Sequence, residues 1–171
     1  MNAIHKYDIY MFTWLINARM HSTLAFLCRY ISKTGDGPLY LLLMLLLYAY
    51  GGFQQPMLQT MLLAFLIERP IYFVLKNGFR RNRPPAAIKD FKSTIIPSDQ
   101  FSFPSGHTSA AFMVASLIAW FYPPMTPWVF FWAGLVGFSR VILGVHFPTD
   151  ILMGIVLGVS SAIISLKALP G

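Results

Sequence analysis

The sequence predicts an all-α fold, a polytopic transmembrane helix bundle, and three observations carry that expectation. Of 171 residues, 56% are hydrophobic and only 11% charged, where soluble domains carry about a quarter charged. Mean hydropathy is +0.59. The apolar residues also gather into runs approaching the ~20 residues that a helix needs to cross hydrocarbon. Too few charges remain to clothe a soluble surface, so residues 1–171 are expected to form one integral membrane domain.

Five runs approach spanning length: residues 38–50 with their flanks, 57–75, 108–122, 128–143 and 151–166. Several are short, which implies a thin or tilted bundle. Residues 1–34 are less regular. Apolar stretches 9–16 and 24–31, the second broken by Arg29, flank Asn17-Ala18-Arg19-Met20-His21. Two amphipathic helices lying in the interface fit this pattern better than one kinked span, so five or six spans are expected. Residues 35–168 would then be the transmembrane core.

The punctuation supports these boundaries. Thr34-Gly35-Asp36-Gly37-Pro38 reads as a turn that gives the next helix a capping Asp and an early Pro. Gly51-Gly52-Phe53-Gln54-Gln55-Pro56 and Tyr122-Pro123-Pro124-Met125-Thr126-Pro127 make short uncharged turns. Trp120, Trp128 and Trp132 gather around the second, as interfacial aromatics should. The opening residues do not read as a cleavable signal, because Asp8, Asn17 and Arg19 interrupt any apolar core. The spans themselves are expected to direct insertion.

The net charge of +7 is local. Six of the thirteen basic residues lie between Lys76 and Lys92, in one polar segment between apolar runs. That placement suits an anionic ligand or anionic headgroups. No basic helix or stacking platform accompanies the charge, so no nucleic-acid partner is expected. Cys28 is the one cysteine, which leaves neither a disulfide framework nor a cysteine metal site.

Counting crossings places three polar clusters on one membrane face. The first is Lys76-Asn77-Gly78-Phe79-Arg80-Arg81-Asn82-Arg83-Pro84, with Gly78 expected to bend the chain after the helix. Lys76 and Arg83 pair a mobile point charge with a planar fork, a combination suited to phosphate. The second is Phe103-Pro104-Ser105-Gly106-His107-Thr108-Ser109, entering an apolar helix. Unpaired backbone N–H groups at a helix start attract anions, Gly106 permits close approach, and Ser105 and His107 add a hydroxyl and an imidazole.

The third cluster runs from Ser139-Arg140 to His146-Phe147-Pro148-Thr149-Asp150. His146 and Asp150 are four apart at a helix start, so their side chains can meet. A carboxylate on one ring nitrogen leaves the other free to act as a nucleophile. Arg140 ends an apolar span, where an unpaired charge is costly. Each cluster alone has a plainer reading, as topology-setting charge, a simple helix cap or a structural ion pair. Together, in order and on one face, they make a complete phosphate site.

Lys-x6-Arg-Pro, Pro-Ser-Gly-His and Ser-Arg-x5-His-x3-Asp together resemble the signature of the type 2 phosphatidic acid phosphatase superfamily. The resemblance runs from Lys76 to Asp150 and leaves residues 1–34 untouched. It implies an integral membrane lipid phosphate phosphatase of small bacterial type, working without cofactor or metal. His146 resembles the nucleophile that forms a phosphohistidine, Asp150 the carboxylate that orients it, and His107 the general acid. Lys76, Arg83 and Arg140 resemble the phosphate clamp, which Ser105 and Gly106 complete.

Bottom-up chemistry agrees, since phosphoryl transfer needs in-line positioning and neutralised equatorial oxygens. The implied partner is a lipid phosphate held in the bilayer. Undecaprenyl diphosphate ranks first, ahead of phosphatidylglycerophosphate and phosphatidic acid. A lipid-to-lipid phosphotransferase and a non-catalytic anion-binding protein are the alternatives. Segment 86–103 is expected to cover the site.

Among the remaining polar residues, Glu68, Tyr72 and Lys76 are spaced by four and could line a polar path, although Glu68 and Arg69 read better as a structural ion pair. His5 and His21 read as interfacial. For sidedness, Arg80, Arg81, Lys89 and Lys92 favour the cytoplasm by the positive-inside rule. The resemblance favours the periplasmic face of a bacterial inner membrane. Phosphate recognition itself demands positive charge, so the periplasmic face is expected.

Overall fold

The protein is described by a computed structural model covering residues 3–16, 21–97 and 99–169. Its helices are α1 (Ala3–Ile16), α2 (His21–Lys33), α3 (Gly37–Gly51), α4 (Pro56–Phe79), α5 (Pro84–Ala87), α6 (Gly106–Phe121), α7 (Thr126–Ile142) and α8 (Pro148–Ala168). Among the described residues the extended pairing is one isolated bridge, Asn82 with Phe101. The all-α bundle is as the apolar runs predict. Stretches Thr23–Gln54, Pro56–Phe79, Pro123–Ile142 and Pro148–Ala168 are long and apolar enough to cross a membrane, and Gly106–Phe121 is apolar but shorter. With 16 residues, α6 extends only ~24 Å at 1.5 Å per residue, so the bundle is thin at its centre.

Helix α6 is that centre, packed against α8, α7 and α4. Lipid tails are as apolar as leucine, so helices associate through close contact of small residues rather than through a hydrophobic drive. Gly154 and Gly158, one turn apart on α8, permit the contact. A Cβ on them would fall 2.8 Å from the Ser105 carbonyl oxygen and 2.2 Å from that of Ser109. Met61, Ala64, Met113, Leu117 and Ala162 fill the space between α4, α6 and α8. Leu45, Leu66, Val74, Phe131 and Leu152 stay exposed on the outside, where lipid would cover them. Inside the bundle, Ser161 and Ser165 return their hydroxyls to the carbonyls of Leu157 and Ser161, both at 2.8 Å. Those two hydroxyls are thereby satisfied within their own helix.

In the N-terminal region Ala3–Ile16 and His21–Lys33 are helical, and the link between them lies outside the described residues. Phe12 of α1 is buried against Phe91 and Phe147, and α2 packs along α7. Both therefore dock near the end of the bundle that carries the polar clusters. The side chains of His5 and His21 lie outside the described residues.

Two local expectations are corrected. Trp132 is not an interfacial aromatic, because it lies more than a turn inside α7 and donates its indole N–H to Thr34 Oγ1 at 2.8 Å. Trp120 and Trp128 do remain exposed. Asp36 occupies the N-cap position of α3, and Pro38 follows in the first turn, but the Asp36 side chain caps nothing. Its carboxylate goes elsewhere.

Candidate active site

The clamp begins on α4, whose last turns carry Tyr72 and Lys76 on one face. Gly78 does not bend the chain, since it lies inside the helix. The turn falls at Arg80, which adopts φ 45° and ψ 39° and donates its N–H to the Lys76 carbonyl. The chain then delivers Arg83 to the start of α5. Lys76 and Arg83 are 6% and 5% exposed, and charges so buried need partners. Arg83 Nη1 donates to the Val145 carbonyl at 2.6 Å and lies 3.4 Å from His146 Nε2.

The other partner comes from Asp99, a residue the motif reading does not name. Its Oδ1 accepts from Arg83 Nη2, and its backbone carbonyl accepts from Arg83 Nε at 3.0 Å. Its second carboxylate oxygen lies 2.8 Å from Lys76 Nζ and accepts the Tyr72 hydroxyl at 2.9 Å. Burial alone would raise the Asp99 pKa, but the hydrogen bonds from Lys76 and Arg83 outweigh it and hold the group at about 2. Segment 86–103 thus contributes this side chain to the site. A carboxylate presents to Arg and Lys the same kind of oxygen pair that a phosphate does.

The His146 side of the site is built by the turn from α7 to α8. Gly144 takes φ 77°, and the Phe91 ring occupies the place of its missing side chain, 2.7 Å from where a Cβ would sit. Only glycine meets both demands without cost. His146 follows, 2% exposed. Burial pushes its pKa down to about 3 against the opposing pull of Asp150, so the ring is neutral at pH 7 and its Nε2 lone pair is available. Asp150 Oδ2 lies 3.6 Å from His146 Nδ1, just beyond hydrogen-bond range. The same oxygen accepts the Phe147 N–H at 2.8 Å, which caps α8.

A second set of residues escapes the motif reading. Arg81 donates to Asp150 Oδ1 at 2.7 Å, to Thr149 Oγ1 at 2.7 Å and to Asp8 Oδ2 at 2.5 Å. Asp8, on α1 and 2% exposed, also accepts the Thr149 N–H at 3.1 Å. The Arg81 guanidinium lies 4.5 Å over the Phe147 ring. Asp150 is therefore held from both sides, by its own helix start and by an arginine braced against the N-terminal helix. The available signal was composition. The chain has six acidic residues, and a buried acid in a membrane protein needs a cation nearby.

The mouth of α6 is the third wall. Ser105 N–H donates to the Asp150 carbonyl at 3.1 Å, and its hydroxyl accepts from Thr108 Oγ1 at 2.9 Å rather than capping the helix. Gly106 lies against Tyr72, whose ring would be 2.9 Å from a Cβ there. His107 Nε2 is 2.6 Å from Asp36 Oδ1, which explains why Asp36 caps nothing. Arg140, 4% exposed, donates to Ser32 Oγ of α2 at 2.6 Å. Its Nε has no hydrogen-bond partner among the described residues. Glu68 is fully buried, pairs with Arg69 and accepts the Ser109 hydroxyl at 2.5 Å, a structural pair rather than a polar path.

All three expected clusters meet at one end of the bundle. Asp99 joins Lys76 to Arg83, close approaches join Arg83, His146, Asp150 and Ser105, and His107 and Arg140 line one cavity. Residues 56–170 match the family model described as PAP2 superfamily. The chain belongs to that superfamily.

Relatives within the PAP2 superfamily agree with this placement. Phosphatidylglycerophosphatase B of Bacillus subtilis is 42% identical across 57% of this chain and 51% of its own length. The bacitracin transport permease protein BcrC of Bacillus licheniformis is 32% identical across 59% of this chain and 50% of its own. The chain thus spans about half the length of these curated relatives. Two crystal structures align over nearly the whole chain. Aquifex aeolicus LpxE gives a TM-score of 0.83 at 30% identity, covering 93% of this chain and 94% of that one. The PAP2-type phosphatidylglycerolphosphate phosphatase of Bacillus subtilis gives 0.82 at 30% identity, covering 98% and 87%. The multi-pass membrane architecture and the superfamily expected from the three motifs are both shown.

Proposed function

We propose that the protein is a membrane lipid phosphatase that works through a phosphohistidine on His146. The observation that carries this reading is the 3.4 Å approach of His146 Nε2 to an arginine that, with Lys76, already grips a carboxylate. An anion held by that pair lies beside an uncharged imidazole nitrogen. In the first step Nε2 attacks phosphorus, and the bond from phosphorus to the leaving oxygen breaks. Lys76, Arg83 and Arg140 offset the charge on the equatorial oxygens, with Ser105 and Gly106 closing the cradle.

Histidine 107 gives its proton to the leaving oxygen. Asp36 holds its Nε2 and, as a carboxylate, supports the doubly protonated ring, so the Nδ1 proton is the one transferred. In the second step the same nitrogen takes a proton from water as the water attacks phosphorus and the P–N bond breaks. Asp150 fixes the His146 ring and balances the positive charge that forms on it. Because protein cations do the neutralising, turnover needs no metal.

A lipid diphosphate, undecaprenyl diphosphate first, fits the site best. Phosphatidylglycerophosphate is the second reading, favoured by the 42% identity to phosphatidylglycerophosphatase B. The site faces the periplasm of a bacterial inner membrane. An impermeant thiol reagent should label a Lys89→Cys variant in intact cells, against a quiet background because Cys28 is buried; protection until the cells are opened would reverse the sidedness. The catalytic reading is tested by phosphate release from a panel of lipid phosphates in detergent, with and without chelator. His146→Ala should lose at least about a thousandfold in kcat, and chelator should change nothing. Undiminished release by the variant would leave only an anion-binding protein.

A further inference from the structure

The Asp36–His107 pair divides two cavities. One, of about 340 Å³, runs past Tyr72 and Asp99 toward Arg69. The other, of about 480 Å³, opens toward α2 and is strongly basic: Arg29, Lys33 and Arg140 all line it. Arg29, Ser32, Lys33 and Asp36 are spaced i, i+3, i+4 and i+7, so one face of α2 and of the turn after it forms the wall.

The wall is built rather than incidental. Arg29 is pinned by a hydrogen bond from Nη2 to the Thr94 carbonyl at 3.1 Å, and Lys33 Nζ rests 5.7 Å from the Tyr30 ring. Ser32 fixes Arg140, whose unpartnered Nε is buried at the cavity's inner end. The one carboxylate on this wall, Asp36, is already bound to His107. Three cations therefore face a space with no free anion among the lining residues. Ile96, 95% exposed, stands at the rim, where an apolar chain could pass.

We propose that this cavity is a second anion subsite on the leaving-group side, and that its ligand is the inner phosphate of a lipid diphosphate. The inference rests on the phosphatase reading above and names its substrate class. When the bond between the terminal phosphorus and the bridging oxygen breaks, the bonding pair stays with that oxygen. The departing group is then a lipid monophosphate carrying charge on several oxygens beside His107. Arg29 and Lys33 offset that charge, and Arg140, which lines the same cavity, stands between the two phosphates. An alkoxide leaving group, with charge on one oxygen only, would gain little from them and would depend on the proton from His107.

The test uses the full chain in detergent and compares kcat/KM for a polyprenyl diphosphate and for the monophosphate of the same chain. In Arg29→Gln/Lys33→Gln the diphosphate-to-monophosphate ratio should fall about tenfold, the effect of losing charge-assisted contacts. Arg29→Lys/Lys33→Arg, which keeps the charge, should hold the ratio within about twofold. A ratio unmoved by the neutral variant overturns the proposal. Should that variant not fold, the wild type decides: methylenediphosphonate should compete about tenfold more tightly than inorganic phosphate, and equal competition overturns the subsite. Tight methylenediphosphonate together with an unmoved lipid ratio would make the ligand a free diphosphate and overturn the lipid assignment. His146→Ala separates the two readings. It should bind methylenediphosphonate in titration calorimetry yet turn over neither lipid, and turnover by it would sink the phosphohistidine while leaving the subsite standing.

Discussion

His146 and His107 sit at the same end of the bundle in opposite surroundings. The His146 side chain is 2% exposed and its partner Asp150 is 0% exposed, whereas His107 and Asp36 are 23% and 45% exposed and stand between two cavities. The contrast matches what each half must do. A nucleophile gains from a dry, fixed setting, in which a misplacement of about 1 Å can cost a hundredfold in rate. A leaving-group acid must accommodate whatever is attached to the phosphate, and open space serves that. On the proposed roles of the two histidines, chemistry would be fixed on one side and substrate range set on the other.

Arg81 offers the sharpest way to break this comparison. If the buried half works by rigidity, Arg81→Met should lower kcat by about a hundredfold with little change in KM, because the variant frees Asp150 without touching substrate. Asp8→Asn should lower it in the same sense by less. A rise in KM with kcat intact would place Arg81 in binding instead. On the open half, His107→Gln should depend on the substrate. The loss in kcat/KM should be about tenfold to a hundredfold greater for an alkyl phosphate than for a nitrophenyl phosphate, whose leaving group needs no proton. Equal losses would remove the general-acid role.

Asp99 bridges the two halves, and its effect is smaller. Asp99→Asn removes the carboxylate that Lys76 and Arg83 already hold, so inorganic phosphate should inhibit several-fold to about tenfold more tightly. Weaker inhibition would make Asp99 an organiser of the clamp rather than a competitor for it. The same variant has a pH signature. Asp99 is held at about 2 in the folded protein, below an unfolded value of about 3.9. Its pairs therefore stabilise the fold fully above about pH 4 and lose that effect as pH falls toward 2. Thermal unfolding followed across that window should fall more steeply in the wild type than in Asp99→Asn.

Much of this molecule was legible in its residues, and the missing part has one physical character. The spans were readable because apolar runs bounded by Gly, Pro and Trp have few other fates. Lys76, Arg83, Ser105, His107, Arg140, His146 and Asp150 stand out because their types suit phosphate and their spacing resembles the superfamily signature, and the fold gathers them at one end of the bundle. The acids that hold them do not. Asp8 looked like an interruption, Asp36 like a cap, and Asp99 like one more residue of a polar segment. Each meets its cation only through folding, across 73 residues for Asp8 and Arg81 and 71 for Asp36 and His107. Five of the six acidic residues prove to be in ion pairs. In a chain with so little negative charge, every acid deserved a search for its partner. Gly78 and Trp132 depart from expectation for the converse reason, since local propensity yielded to a helix that ran on and to a part-buried hydrogen bond with Thr34.

The phosphohistidine itself can be trapped. Rapid acid-free quenching of the His107→Gln variant with 32P-labelled nitrophenyl phosphate, whose leaving group needs no proton, followed by peptide mass spectrometry, should find phosphorus on Nε2 of His146, labile to acid and stable to base. Label on another residue, or hydrolysis at full rate with His146 replaced, would contradict the assignment of this imidazole as the group that takes the phosphate.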